Sequence, residues 1–203
     1  MIRNGLAALL LVFAAAPATA QQPAPPMAAE PAPPAAAPSE PDARAKAVGE
    51  LLGQLSKAQD PALAKRLAAA VQALWRRSGS DTVDLLTARS VEAQRGQKVD
   101  VAIKLMDEVV SLQPDYAEGW NRRATLHYMA KDYDEAMIDI RETLALEPRH
   151  FVAWLALGRI LKESDLEAKA LAAFRKALAI NPWIEGLKRE VDELALKVEG
   201  QPI

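Results

Sequence analysis

The chain has 203 residues, with 25 Lys and Arg against 27 Asp and Glu, and half of its residues are apolar. That length suits one modest domain with tails, and the balanced charge leaves no basic footprint for nucleic acid. The absence of cysteine removes disulfides, thiolate metal sites and thiol nucleophiles, and two histidines, His127 and His150, cannot build a multi-histidine metal cage.

Residues 1–20 place Arg3 before an uncharged run from Leu6 to Ala16, followed by Pro17 and the small-residue exit Ala18-Thr19-Ala20. This is the pattern of a secretory signal peptide, and the run is too short to span a bilayer. Cleavage is expected after Ala20, giving a periplasmic or secreted protein with no membrane contact; retention as an anchor is the alternative. Residues 21–41 carry eight prolines and little that could pack, so a disordered Pro/Ala-rich linker is expected. Residues 42–82 read as a helix pair over 43–58 and 61–78, with Asp60 as N-cap and Pro61 at the first helical position.

Beyond the pair, Pro114, Pro148 and Pro182 recur every 34 residues, and so do Ala68, Ala102, Ala136 and Ala170. Two independent sets sharing one period mark an internal repeat. Cut as 83–116, 117–150 and 151–184, the units resemble the tetratricopeptide repeat (TPR) family, whose pattern is W-x2-L-G-x2-Y, A-x3-F, P. The third unit carries Trp154, Leu157, Gly158, Ala170, Phe174 and Pro182; the second keeps Trp120, Ala136 and Pro148; the first keeps Ala102 and Pro114. The resemblance implies an all-α solenoid of helical hairpins.

The residues support stacking on their own terms. Ala136/Ile140/Leu144 and Trp154/Leu157/Leu161 fall at helical spacing, and one hairpin cannot bury such stripes without a neighbour. Asp132 with Glu135, and Ser164 with Glu167, read as capping boxes for the second helices. Residues 42–82 look like a degenerate repeat closing the N-terminal face, with Ala68 on the period but Gln72 and Ser80 in place of an apolar residue and proline. At the other end, Ile184, Leu187, Val191, Leu194 and Val198 form one stripe over 185–199, a capping helix.

No catalytic constellation, phosphate loop, metal site or cofactor motif is present, so no enzyme is expected. His127 reads as a packed, hydrogen-bonded core residue and His150 as ordinary turn content. Arg89 and Arg123 stand 34 apart where the family packs a leucine; stems lying over apolar neighbours with paired heads are favoured over a cation pair offered to a ligand. By resemblance the first helices line a groove for a protein or peptide, with Asn121, Thr125, Tyr128, Leu155, Arg159 and Lys162 as candidate contacts. Thr87 and Val91 replace the Lys and Asn of the family's terminal-carboxylate clamp, which argues against a chaperone-tail role. The expected function is a non-catalytic scaffold or adaptor, in assembly or maturation of envelope complexes. The alternative is a self-associating structural protein.

Overall fold

The computed structural model describes residues 40–200, with side chains from Ala43 onward; the signal-peptide expectation and almost all of the linker lie outside the described residues. Nine α-helices and no strand occur among them: α1 (Glu40–Leu55), α2 (Pro61–Trp75), α3 (Asp81–Arg95), α4 (Val99–Leu112), α5 (Ala117–Met129), α6 (Tyr133–Leu146), α7 (Phe151–Glu163), α8 (Glu167–Ile180) and α9 (Leu187–Glu199). None of them is long and apolar enough to cross a membrane.

Three hairpins, α3–α4, α5–α6 and α7–α8, stack in chain order, and α9 packs on α8. Each hairpin turns through the same device. Gln97, Lys131 and Asp165 adopt left-handed backbone with φ of 59°, 63° and 59°. The next N–H then reaches back across the helix end, as from Lys98 to the Ala93 carbonyl at 2.9 Å, Asp132 to His127 at 2.9 Å and Leu166 to Leu161 at 2.8 Å. This six-to-one bond satisfies carbonyls that the helix end would orphan.

That device overturns the expected capping boxes. Asp132 is the N-cap of α6 but makes no side-chain cap bond. Ser164 ends α7 rather than starting α8, and its hydroxyl donates to the Ile160 carbonyl at 2.9 Å. Asp60 does cap α2, accepting the Leu63 N–H at 2.7 Å ahead of Pro61.

The pairing of Trp with the preceding Pro in the repeat has a direct cause. The Trp120 indole N–H donates to the Pro114 carbonyl, and Trp154 to Pro148, each at 2.9 Å. Each tryptophan thereby ties its helix to the turn that closes the unit before it. Within the stack Ala102, Ala136 and Ala170 are fully buried, and a Cβ added at Gly158 would sit 2.3 Å from ring atoms of the fully buried Phe174. Gly158→Ala is therefore expected to destabilise by about 1–3 kcal/mol despite the better helix propensity of alanine, because the ring is held on all sides. Gly53→Ala, where nothing lies within 4 Å, is the control and should stabilise slightly. Urea midpoints of the two variants check this; a stabilised Gly158→Ala would refute the contact.

The N-terminal pair α1–α2 departs from expectation in where it packs. Its apolar face, Val48, Leu52, Leu55, Ala64, Leu67 and Val71, meets Phe151 and partly buried Val152, Ile180 and Ile184. It thus caps the edge of the third repeat rather than the N-terminal face of the stack. The Trp183 indole N–H donates to the Ala58 carbonyl at 3.0 Å, and the Tyr116 hydroxyl donates to the Arg76 carbonyl at 3.0 Å. The cause is chemical. On the outer side of the first repeat Arg89 and Glu92 are exposed, one period before Arg123 and Leu126 and two before Leu157 and Ile160. Arg89 and Glu92 interrupt the apolar surface that Leu85 and Leu112 leave exposed there, whereas the third-repeat edge offers the pair Phe151, Val152, Ile180 and Ile184. At the C-terminal end, Leu187, Val191 and Leu194 of α9 are buried against Leu171, Phe174 and Ala177, while Lys188, Arg189 and Asp192 stay exposed.

Candidate functional site

The first helices α3, α5 and α7 lie side by side, because bonds join residues one repeat plus one apart. Gln94 Nε2 reaches Met129 Sδ at 3.1 Å, and the Tyr128 hydroxyl donates to Glu163. The six candidate contacts all fall on this layer, in different states. Thr125 and Arg159 are exposed, and Leu155 is partly buried against the third-repeat core. Lys162 is exposed but pairs with Glu190 of α9 at 2.6 Å. Tyr128 is half-buried; its hydroxyl and that of Tyr133 share the Glu163 carboxylate. Those hydrogen bonds raise both phenols above the usual tyrosine range and lower Glu163.

Asn121 is only 6% exposed. Its amide nitrogen donates to Glu118 at 3.0 Å, and its Oδ1 is buried without a hydrogen-bond partner. It sits at the base of the layer rather than on its open surface. Met129, 47% exposed, adds an apolar contact that the sequence reading did not single out; its place one residue beyond Tyr128 was the available signal.

Arg123 takes the packed arrangement. Its guanidinium donates to both oxygens of the fully buried Asp139 at 2.9 and 2.7 Å and to Asp107 at 2.9 Å, and lies 4.9 Å from the Trp120 ring centroid. Arg89 is exposed, so the two arginines do not form a pair. His127 is packed as expected but not hydrogen-bonded: its Nδ1 is 3.6 Å from Asp132 and its Nε2 4.0 Å from Asp139.

His150 corrects the expectation of ordinary turn content. It is fully buried, and its Nδ1 accepts the Ala153 N–H at 3.2 Å as the cap of α7. That acceptance assigns the proton to Nε2, which faces Glu118 Oε2 at 3.2 Å. The ring stacks on Trp75 of α2 with centroids 4.2 Å apart. Burial works to raise the Glu118 carboxyl, but His150, Arg122 and Asn121 together hold it below the ordinary carboxylate range. His150 is thus the keystone between the N-terminal pair and the repeats. No group of three or more His, Asp or Glu side chains placed to hold a metal occurs among the described residues.

Two segments match family profiles described as tetratricopeptide repeat, residues 117–150 and 152–182. A TPR repeat-containing protein of Rhizobium etli is 36% identical over 151 residues, spanning 74% of each chain. Among solved structures, the first TPR of Spaghetti bound to the HSP90 peptide SRMEEVD superposes with a TM-score of 0.56 at 17% identity, covering 59% of this chain and 95% of that one. The Sgt2 TPR domain of Aspergillus fumigatus gives 0.55 at 20% identity, covering 61% and 87%. The TPR2B domain of yeast Sti1 in complex with an Hsp70 peptide gives 0.53 at 20%, covering 61% and 100%. With the period, the turns and the stacked hairpins all in agreement, this chain belongs to the tetratricopeptide repeat family.

Proposed function

We propose that the chain is an exported, non-catalytic binding module that holds a protein or peptide segment on its first-helix layer and serves as an adaptor in the cell envelope. The observation that carries this reading is the contrast within that layer. Its base is internally bonded through Asn121, Glu118 and His150, whereas Thr125, Met129 and Arg159 stand exposed beside partly buried Leu155. A preformed surface of this kind binds without first ordering itself, which lowers the entropic cost of association. The peptide complexes of the structural neighbours support a segment as ligand. The expected export rests on residues 1–20.

Crosslinking in intact cells, purification and mass spectrometry test the proposal, beside a Thr125→Glu/Leu155→Ala/Arg159→Glu variant shown to fold normally. The expected result is one dominant partner that the variant loses, with a purified chain whose mass begins at Gln21. A partner kept by the variant would move the site elsewhere, and a mass that includes Met1 would refute cleavage. A second reading, self-association through the end of the stack, is favoured by Leu85 and Leu112, which are 53% and 58% exposed on the first repeat. Self-crosslinks alone, with concentration-dependent size in light scattering, would select it.

A further inference from the structure

Three positions on each first helix face the repeat before it. In the second repeat they are Gly119, Arg123 and Leu126. A Cβ at Gly119 would sit 3.1 Å from Val109 of α4, Arg123 reaches Asp107 of α4 at 2.9 Å, and Leu126 is buried with Met106 and Val109. One period on, Ala153 and Ile160 are buried with Ala124, Ala136 and Ile140 of the second repeat. A further period on, Leu187, Val191 and Leu194 of α9 are buried against α8.

In the first repeat the same positions are Leu85, Arg89 and Glu92, and no repeat precedes them. Leu85 is 53% exposed. Arg89 and Glu92 are exposed, and neither has an ion-pair partner among the described residues. The α1–α2 pair leaves them open because its apolar face is committed to the third repeat. Spaced four and three residues apart, the three side chains share one stripe of α3. Exposed Leu112 borders the stripe, lining one cleft with Thr82.

Charge constrains what can cover this stripe. An antiparallel two-fold packing of α3 on its copy sets Arg89 of each chain against Glu92 of the other. Both charges are then paired while both copies of Leu85 leave water, and such complementarity fixes the register. The opposite end of the stack offers no such match. Exposed charges of α9 pair within their own helix, Lys188 with Asp192 at 3.0 Å and Arg189 with Glu193 at 3.9 Å. The contact therefore closes on itself instead of running head to tail into a filament.

We propose that the first-repeat end of the stack is a two-fold self-association surface, on which Leu85 and reciprocal Arg89–Glu92 pairs of two copies cover the open repeat. The inference rests on the second functional reading, self-association, and adds its symmetry, its pairing and its closure at two copies. The charges that make this end a poor host for α1–α2 suit a second copy. Thr125, Leu155 and Arg159 lie on the second and third repeats, so the dimer carries two open grooves.

Sedimentation velocity and light scattering over a range of concentrations, on the protein purified from cells, test this. The wild type is expected to reach twice the monomer mass and no more. Arg89→Glu and Glu92→Arg, each with unchanged circular dichroism, should weaken the dimer by about tenfold or more, because like charges then meet twice. The exchanged variant Arg89→Glu/Glu92→Arg should restore it, which a local effect of either substitution would not. A dimer that the single reversals leave intact, or that the exchanged variant fails to restore, would overturn this interface and leave self-association standing. Assemblies growing past two copies would overturn the two-fold closure. A monomer at every concentration would overturn both the interface and the self-association reading, with the groove untouched.

Discussion

Asp139→Ala is expected to destabilise the protein by about 3–5 kcal/mol, the cost of stranding a charge whose buried partner has been removed. Asp139 is fully buried, and it receives two donors from Arg123, whose side chain is 16% exposed. Those bonds are the largest cause holding the guanidinium above its usual range. Without Asp139, the Asp107 carboxylate at 2.9 Å is half exposed and compensates only in part. Arg123→Ala leaves the opposite charge stranded, in a site with no exposure at all, and should also be strongly destabilising. The double variant Arg123→Ala/Asp139→Ala removes both charges, so its loss should fall well below the sum of the single losses. Urea unfolding of the four proteins at neutral pH closes the cycle. Additive losses, or an Asp139→Ala protein within about 0.5 kcal/mol of wild type, would mean that the pair is not structural. An Arg123→Ala protein of normal stability that fails to bind its partner would restore the ligand-presenting reading of this arginine.

His150→Ala is expected to release α1–α2 before it unfolds the repeats. The substitution removes an N-cap, an aromatic stack and a fully buried ring together, for a loss of about 2–4 kcal/mol. The pair is vulnerable because it docks through Phe151, Val152, Ile180 and Ile184 and a few polar bonds rather than as a continuous layer of the stack. Hydrogen exchange is the decisive readout. Amides of α1 and α2 should lose protection while those of α5 to α8 keep most of theirs. Uniform loss across all helices would show that the pair and the repeats form one cooperative unit. Acid should mimic the substitution weakly. Glu118 is held below the ordinary carboxylate range, so its contribution is fully present above that range and is lost as pH falls through the lowered pKa. Protection of α1–α2 should fall in that acid window in the wild type and change less in His150→Ala.

Much of the fold was legible in the chain. The 34-residue recurrence of Pro114, Pro148 and Pro182 placed the repeat boundaries in the turns that follow α4, α6 and α8. The stripe from Ile184 to Val198 placed α9 on the stack. The cap at Asp60 was readable because both partners lie within one helical turn. The boxes at Asp132 and Ser164 were not, since the left-handed turns at Lys131 and Asp165 had already taken up the neighbouring backbone groups. Along the candidate surface the helix register was readable, but the bonding of each side chain was not. Asn121 is spent on Glu118 and Tyr128 on Glu163, while Thr125 and Arg159 are exposed.

The sequence by itself determined the helical repeat, its period and the layer to which each candidate contact belongs, because helical periodicity and turn chemistry act over a few residues. Only the tertiary structure decided where α1–α2 rests and what His150 does. Those outcomes depend on competition between apolar faces far apart in the chain. Exposed Arg89 and Glu92 make the near face of the stack a poor host, and Phe151 and Ile184 make the far edge a good one. A buried imidazole needs partners from α2 and α5 at once, and nothing in the spacing of His150 records that they will be there.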